Sequence, residues 1–568
     1  MKKILLGISI FGGVFLLGCT TQAPAPVAIA ASRIVVSSAN ADPGILLAGK
    51  VVTMNDAGEV FTDARVWIRG GVIESIVMPG EPLPPGAEQA RAIVTGGVMY
   101  PGLIDIHNHP EYAVYPLMPI TRKYRDRYEW RQYDDDYAKR IERPDVILQN
   151  AEYYNLGMDV GRYGEYMALA GGTTALQGGG SGYSKTTDAV LHARRYYRPY
   201  AKAECLTRNI ETTSSAGRDA FSYVDIGKDV PEWQRMQEDA GRGTLIVHLA
   251  EGTSSRMANE FGYVKASGLL GPNLVVIHGV GLDASHFKDM AAVGAKLIWS
   301  PLSNFLLYGK TVDVQAARAA GVAISLAPDW GPSGSKSALG ELKVADLVSR
   351  QQSPPMFGDR ELVEMVTRNP ARALGWEKRL GQISAGFLAD IIVVDDRNAD
   401  AFRNLIAATE ENIRLVIVRG EALYGDSVRL AQARAAAADI EEIAVLAGGR
   451  AKSIAPNCAG SGMPDSRVND VRSRLQEALK FDAAYTARVV SRSQIAKVLA
   501  GCTNEAAPAM PATADDARRM LSCQFGLPFE TTHLAPLITQ DDVQFFSRIK
   551  ANRNIPDYLK ALPDYYQK

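Results

Sequence analysis

The feature that most constrains this chain is a series of eight apolar, β-rich runs that alternate with longer amphipathic stretches. They are Leu103–His107, Thr173–Gln177, Ala203–Ile210, Phe221–Ile226, Leu245–Leu249, Leu274–His278, Lys296–Ser300 and Val322–Ala327. Such alternation is the pattern of a parallel sheet with crossover helices. Eight repeats predict a (β/α)8 TIM-type barrel over residues 99–375. The pattern is weakest between Ile210 and Phe221, where no clear helical stretch intervenes.

Both flanks of this region are β-type. Short runs such as Lys50–Met54, Ala64–Ile68 and Val72–Ile76 are separated by Gly, Asp and Pro turns, and a second patch contains Ala389–Val394 and Arg414–Gly420. Residues 43–98 and 376–428 are therefore expected to pair into one small β-sandwich into which the barrel is inserted. Beyond Arg429 the chain turns alanine-rich and carries no chemical motif, so 429–568 is expected to be a mainly helical extension packed on the barrel or on another subunit. A homo-oligomer is left open by this reading.

The amino terminus predicts export. Met1-Lys2-Lys3 is a short positive region, and Ile4–Leu17 is an apolar run too short to span a bilayer comfortably. Residues 1–18 read as a signal peptide ending in Leu16-Leu17-Gly18-Cys19, which resembles the bacterial lipobox with Cys19 as the lipidated residue. The Ala-, Pro-, Thr- and Ser-rich stretch 19–42 reads as a tether to a membrane surface, with Thr20 favouring the periplasmic side of the outer membrane by the same resemblance. An oxidising compartment permits one disulfide among Cys458, Cys502 and Cys523, while Cys205 lies in a strand-like run. Lys and Arg number 62 against 63 Asp and Glu, so nothing drives the chain towards nucleic acid, and the expected partner is a small-molecule substrate.

The chemistry lies at the ends of the apolar runs. In Leu103-Ile104-Asp105-Ile106-His107-Asn108-His109 the strand period of two puts both imidazoles on one face. His248 and His278 each close a further run, and Asp329 follows the last. Four of the seven histidines and one carboxylate thus fall at carboxyl-terminal strand ends, the face on which such barrels build active sites. Three histidines with a carboxylate suit a borderline divalent ion, zinc first and iron second, and such an ion lowers the pKa of water from about 15.7 to about 7. Hydrolysis follows from that chemistry.

These motifs, with His248-Leu249-Ala250-Glu251, Ser300-Pro301-Leu302-Ser303-Asn304 and Pro328-Asp329-Trp330, resemble the amidohydrolase superfamily over roughly residues 45–426. The similar branch holds cytosine and guanine deaminases, atrazine chlorohydrolase and imidazolonepropionase. The resemblance implies that His107, His109, His248 and Asp329 bind the metal, that His278 faces the activated water or the substrate, and that Glu251 shuttles protons. A carboxylate just past a ligand strand suits that role on physical grounds, and the competing reading of Glu251 is a surface residue opening a helix.

The chain departs from the pattern in two places. Binuclear members carry a carboxylated lysine on the fourth strand, whereas Lys185, Lys202 and Lys228 here lie beside strands, which favours one ion. The tyrosine- and arginine-rich insert Tyr112–Arg143 also differs from the common deaminases. Ser303 and Asn304 serve either substrate contact or turn and capping duty, and His192, His286 and His533 sit in helical or tail context. The expected function is metal-dependent hydrolysis of a carbon–nitrogen bond, by a deaminase or a cyclic or linear amidase. The alternatives are a binuclear peptidase-like or lactone-cleaving relative, and a barrel that has lost catalysis and serves as a binding or scaffold protein.

Overall fold

The computed structural model describes residues 42–150, 153–178, 183–184, 198–199, 206–211, 219–227, 230–435, 439–445, 450–455, 467–490, 513 and 530–567. The signal peptide, Cys19, all the other cysteines, His192, and Lys185, Lys202 and Lys228 lie outside these residues. No helix among the described residues is long and apolar enough to cross a membrane.

Strands β1 (Ile45–Val52), β2 (Val60–Arg69), β3 (Val72–Val77) and β4 (Arg91–Pro101) come from the first flank. Strands β5 (Leu103–Asp105), β6 (Thr173–Leu176) and β9 (Arg208–Asn209) form one parallel sheet, and β7 (Tyr183–Ser184) pairs with β8 (Arg198–Pro199). Strands β10 (Ala220–Tyr223), β11 (Thr244–Leu249), β12 (Leu274–His278), β13 (Lys296–Trp299) and β14 (Ile324–Leu326) form a second parallel sheet in sequence order. The second flank supplies β15 (Ile391–Asp395), β16 (Ile413–Val418) and β17 (Glu421–Asp426), followed by β18 (Glu441–Val445) and β19 (Ala451–Ile454). The fold is therefore α/β, and each of the eight predicted runs contributes one strand to the two parallel sheets.

β11 and β12 are buried along their whole length, because parallel strands covered on both faces need apolar residues at every position. The crossover elements that link successive strands of this sheet are ordinary amphipathic helices. Helix Ala284–Val293, for example, starts at Asp283, whose carboxylate accepts from Ser285 N and His286 N, and stops at Gly294 in the left-handed region. β14 returns to β5 through an isolated parallel bridge between Asn108 and Asp329, so the strand ends carrying the predicted ligands meet there.

The two flanks meet in one continuous sheet rather than in the two facing sheets of a sandwich. β4 pairs in parallel with β1 and antiparallel with β15, producing one nine-stranded sheet of order β18-β19-β17-β16-β15-β4-β1-β2-β3. Its two halves still bury a common core, with Leu47 and Val66 from one and Val393 and Leu415 from the other. The region beyond Arg429 is not mainly helical in this part: β18 and β19 extend the sheet, since a run such as Ala451-Lys452-Ser453-Ile454 gains more from edge pairing on β17 than from local helix propensity. Gly102 joins β4 directly to β5, and a Cβ there would lie 2.2 Å from Thr174 Oγ1, so only glycine lets the sheet pass so close to β6.

Candidate metal centre

His107, His109, His248, His278, Glu251 and Asp329 are brought together at the carboxyl-terminal ends of β5, β11, β12 and β14. Ligand-type atoms of His107, His109 and His248 lie within 4.8 Å of one another, as do those of His107, His278 and Asp329, and those of His248, Glu251 and His278. All are buried except His109, whose side chain is 24% exposed and marks the open side of the cluster. His278 and Asp329 both hold φ in the left-handed region, at 70° and 73°, and Ala250 beside Glu251 has φ 54°. Such conformations are disfavoured for residues with a Cβ and persist where surrounding contacts impose them, typically at functional sites.

Hydrogen-bond directions fix the imidazole tautomers. Asn108 N donates to Gln177 Oε1 at 3.0 Å, so the oxygen of that amide faces β5, and His107 Nδ1 donates to the same oxygen at 3.0 Å. His248 Nδ1 donates to the Tyr223 carbonyl at 3.1 Å. Both rings therefore keep the Nε2 lone pair free. His107 Nε2 faces Asp329 Oδ1 at 3.0 Å, which sets two acceptors against each other and calls for a cation between or beside them. His109 Nε2 is 3.9 Å from the same oxygen, and its Nδ1 is 3.6 Å from Glu111 Oε1. Carbonyl, amide and carboxylate partners behind ligand imidazoles are the usual outer shell of a metal site.

His278 is held in the opposite sense. Trp299 Nε1 donates to Thr311 Oγ1 at 2.8 Å, Thr311 Oγ1 donates to Asn304 Oδ1 at 3.3 Å, and Asn304 Nδ2 then donates to His278 Nδ1 at 3.0 Å. Its hydrogen is thus on Nε2, which points at Glu251 Oε2 at 3.6 Å and Asp329 Oδ2 at 4.0 Å. Burial pushes the His278 pKa down to about 3 and pushes that of His248 well below the ordinary value, so both rings are neutral. Burial alone would raise the Asp329 pKa, but its surroundings in the imidazole cluster outweigh it and hold the carboxyl well below its ordinary range, so the carboxylate is ionised. Glu251 is 3% exposed and its pKa is pushed up to about 8, chiefly by burial, with Arg127 opposing and Asp329 reinforcing the shift. It is not a surface residue opening a helix, since the next helix begins at Ser255.

Of the lesser candidates, Ser303 Oγ donates to Asp329 Oδ2 at 2.5 Å and Asn304 orients His278, so both support the cluster rather than merely cap a turn. His286 is the N3 partner in the cap of helix Ala284–Val293, and His533 lies on an exposed part of the carboxyl-terminal segment. The sequence reading passed over Gln177, whose role depends on a neighbouring strand, and Tyr308, whose hydroxyl donates to Glu251 Oε1 at 2.5 Å. Only the closeness of Gln177 to a strand end pointed to it.

The model of the Amidohydrolase family matches residues 234–423. A 5-methylthioadenosine/S-adenosylhomocysteine deaminase from Syntrophobacter fumaroxidans is 25% identical over 428 residues, 67% of this chain and 93% of the relative. Over these stretches the chain is similar to the amidohydrolase superfamily. Among solved structures, Escherichia coli guanine deaminase superposes with TM-score 0.51 at 17% identity, over 67% of this chain and 99% of that one. A variant of atrazine chlorohydrolase TrzN from Arthrobacter aurescens TC1, complexed with zinc and atraton, gives TM-score 0.50 at 18% identity over 67% and 95%. The two structures share the α/β fold. The family match together with the deaminase relative supports a hydrolase acting on carbon–nitrogen bonds.

Proposed function

We propose that the six gathered side chains are the active site of a metal-dependent hydrolase that removes an amino group from a nitrogen heterocycle as ammonia. The observation that carries this reading is the tautomer pattern: two imidazoles offer Nε2 lone pairs beside an ionised carboxylate, while a third presents Nε2–H next to a buried glutamate. We read the two parallel sheets as arcs of one (β/α)8 barrel, supported by the Asn108–Asp329 bridge and by the hydrogen bonds His109 N to Asp329 O and Asp329 N to His107 O, both 3.2 Å.

His107, His109, His248 and Asp329 would hold one zinc ion, a donor set suited to zinc before iron. Such an ion, when bound, supplies Lewis acidity and lowers the pKa of a water to about 7. Glu251 takes a proton at Oε2 and returns it to the leaving nitrogen, a task suited to a carboxyl whose pKa is pushed up to about 8. His278 Nε2–H donates to the oxygen of the tetrahedral carbon centre. The aminated-heterocycle class draws on the deaminase relative, and the insert Tyr112–Arg143 is the part of the site most able to alter the substrate. The same proposal places the mature protein on the periplasmic side of the outer membrane, tethered through Cys19. Cys19→Ala is expected to yield soluble, active protein, and retention in the membrane fraction overturns the anchor.

The test pairs two substitutions on a panel of aminated heterocycles, amides, cyclic imides and dipeptides. Glu251→Gln is expected to keep the metal and lower turnover by a factor on the order of 10² to 10⁴. Asp329→Asn is expected to lose metal, because an anionic ligand is removed. Elemental analysis should give close to one ion per wild-type chain. Two equivalents of metal, or full activity in Glu251→Gln, defeats the reading.

A further inference from the structure

The orientation of Glu251 is set from outside the ligand cluster. The indole of Trp130 can only donate, and it gives its hydrogen to the Tyr308 hydroxyl at 2.9 Å. That leaves the phenol's single hydrogen for Glu251 Oε1, at 2.5 Å. Trp130, Tyr308 and Glu251 are all buried, so solvent does not substitute for either bond. The second carboxylate oxygen, Oε2, is left facing His278 Nε2 at 3.6 Å.

Both supporting residues sit on fixed elements. Tyr308 ends the helix Pro301–Tyr308 that follows β13, the helix that also carries Ser303 and Asn304. Trp130 belongs to the insert and stacks on Trp330, the residue after Asp329, with centroids 5.4 Å apart and planes 20° from parallel. The insert also grips the Glu251 segment itself, since Arg127 N donates to Glu251 O at 3.1 Å and Asp126 forms an isolated antiparallel bridge with Gly252. A Cβ on Gly252 would lie 2.4 Å from Asp126 Cα, so the approach depends on glycine.

We propose that Tyr308, aimed by Trp130, is a positioning residue for Glu251, holding Oε1 so that Oε2 alone is presented to the reacting atoms. The inference rests on the reading of Glu251 as the proton carrier. Without the phenol hydroxyl the carboxylate is free to turn about its last torsion, which is broad and roughly two-fold, and the oxygen facing His278 is no longer defined. A purely structural Tyr308 would affect stability and nothing else.

Tyr308→Phe keeps the ring and removes the donor. In the full-length zinc-loaded protein, kcat is expected to fall about tenfold or more, the scale of a hydrogen bond to a charged group, with KM and metal content unchanged. In a Glu251→Gln background the same substitution should change kcat by less than about twofold, because residues acting as a unit are not additive. Trp130→Phe, which disturbs the aim but leaves the phenol, should give a smaller loss in kcat. A readout independent of turnover is the infrared band of Glu251, identified by its loss in Glu251→Gln, which should shift in Tyr308→Phe because one hydrogen bond to Oε1 is removed. An equal kcat loss in both backgrounds, or full kcat with an unmoved band, overturns the role of Tyr308. Wild-type kcat in Glu251→Gln overturns instead the reading on which it rests.

Discussion

Glu341 shows how a single buried carboxyl tunes this molecule without touching the metal centre. It lies in the first turn of helix Ala338–Ser349, is fully buried, accepts from Leu302 N at 2.9 Å and bonds Ser335 Oγ. Burial pushes its pKa up to about 8, only partly offset by those hydrogen bonds. A carboxyl whose folded pKa lies above its unfolded value contributes stability that is complete below the unfolded pKa and is lost as pH rises through the folded one. Glu341→Gln copies the protonated form, so its melting temperature relative to wild type should climb between about pH 4.5 and about pH 8 and level off above that. A constant difference across that range would show that Glu341 is already ionised in the folded protein. At this scale the sequence was informative wherever a residue closed an apolar run, as His107, His248, His278 and Asp329 do. Gln177 and Tyr308 were not legible, because their partners, His107 and Glu251, are 70 and 57 positions away, and a polar or aromatic residue near a strand end has many bland explanations.

The insert is where the element scale matters most. Arg127 is 1% exposed and pairs with Glu260 at 2.9 Å and Asp225 at 3.0 Å, and Glu260 Oε2 also accepts from Ala250 N at 2.8 Å. One buried carboxylate thus ties the insert, the helix Ser255–Ala266 and the strained turn before Glu251. Removing one member of a buried pair leaves the other charge unpaired, which costs about 3–5 kcal/mol. Arg127→Met should therefore destabilise the fold on that scale. Arg127→Met with Glu260→Met should recover only part of the loss, since Ala250 N is then left without its acceptor. Denaturant titration of the four proteins measures the cycle, and additive effects would mean that Arg127 and Glu260 do not act together. The eight strands were readable because long apolar runs carry a strong period, although among the described residues of the run Ala203–Ile210 only Arg208–Asn209 form β9. The insert's role was not readable, since its Arg and Tyr residues look like a solvated surface until Arg127, Tyr124 and Trp130 are found buried.

At the scale of the whole molecule, the carboxyl-terminal segment is part of the unit Asp42–Lys568. Ala535 N donates to Val114 O at 3.0 Å, Asn552 Nδ2 to Ile120 O at 3.2 Å, and Asn554 Nδ2 reaches both Arg122 O at 2.8 Å and Leu306 O at 2.7 Å. The segment therefore braces the insert and the helix that carries Tyr308 together. Composition alone showed only a chain without chemical motifs beyond Arg429, because bracing is expressed through ordinary apolar and amide residues. Ile538, Phe545, Ile549, Ile555, Leu559 and Leu562 are each at most 5% exposed, and burying side chains of this kind is worth about 1.5–3 kcal/mol apiece. Their joint contribution is on the order of 10 kcal/mol, comparable with the whole stability of a typical domain. A chain ending at Phe529 should therefore fail to reach the native state rather than lose activity alone. Ile549→Ala, a single cavity in the same segment, should lower stability by about 2–5 kcal/mol and leave the metal content intact, because the ligands stand on other elements. Circular dichroism melts with elemental analysis of both proteins decide the matter: a truncated chain that folds with its metal and melts like wild type would make the segment an appendage, whereas loss of the cooperative transition makes it part of the scaffold that holds Glu251 in place.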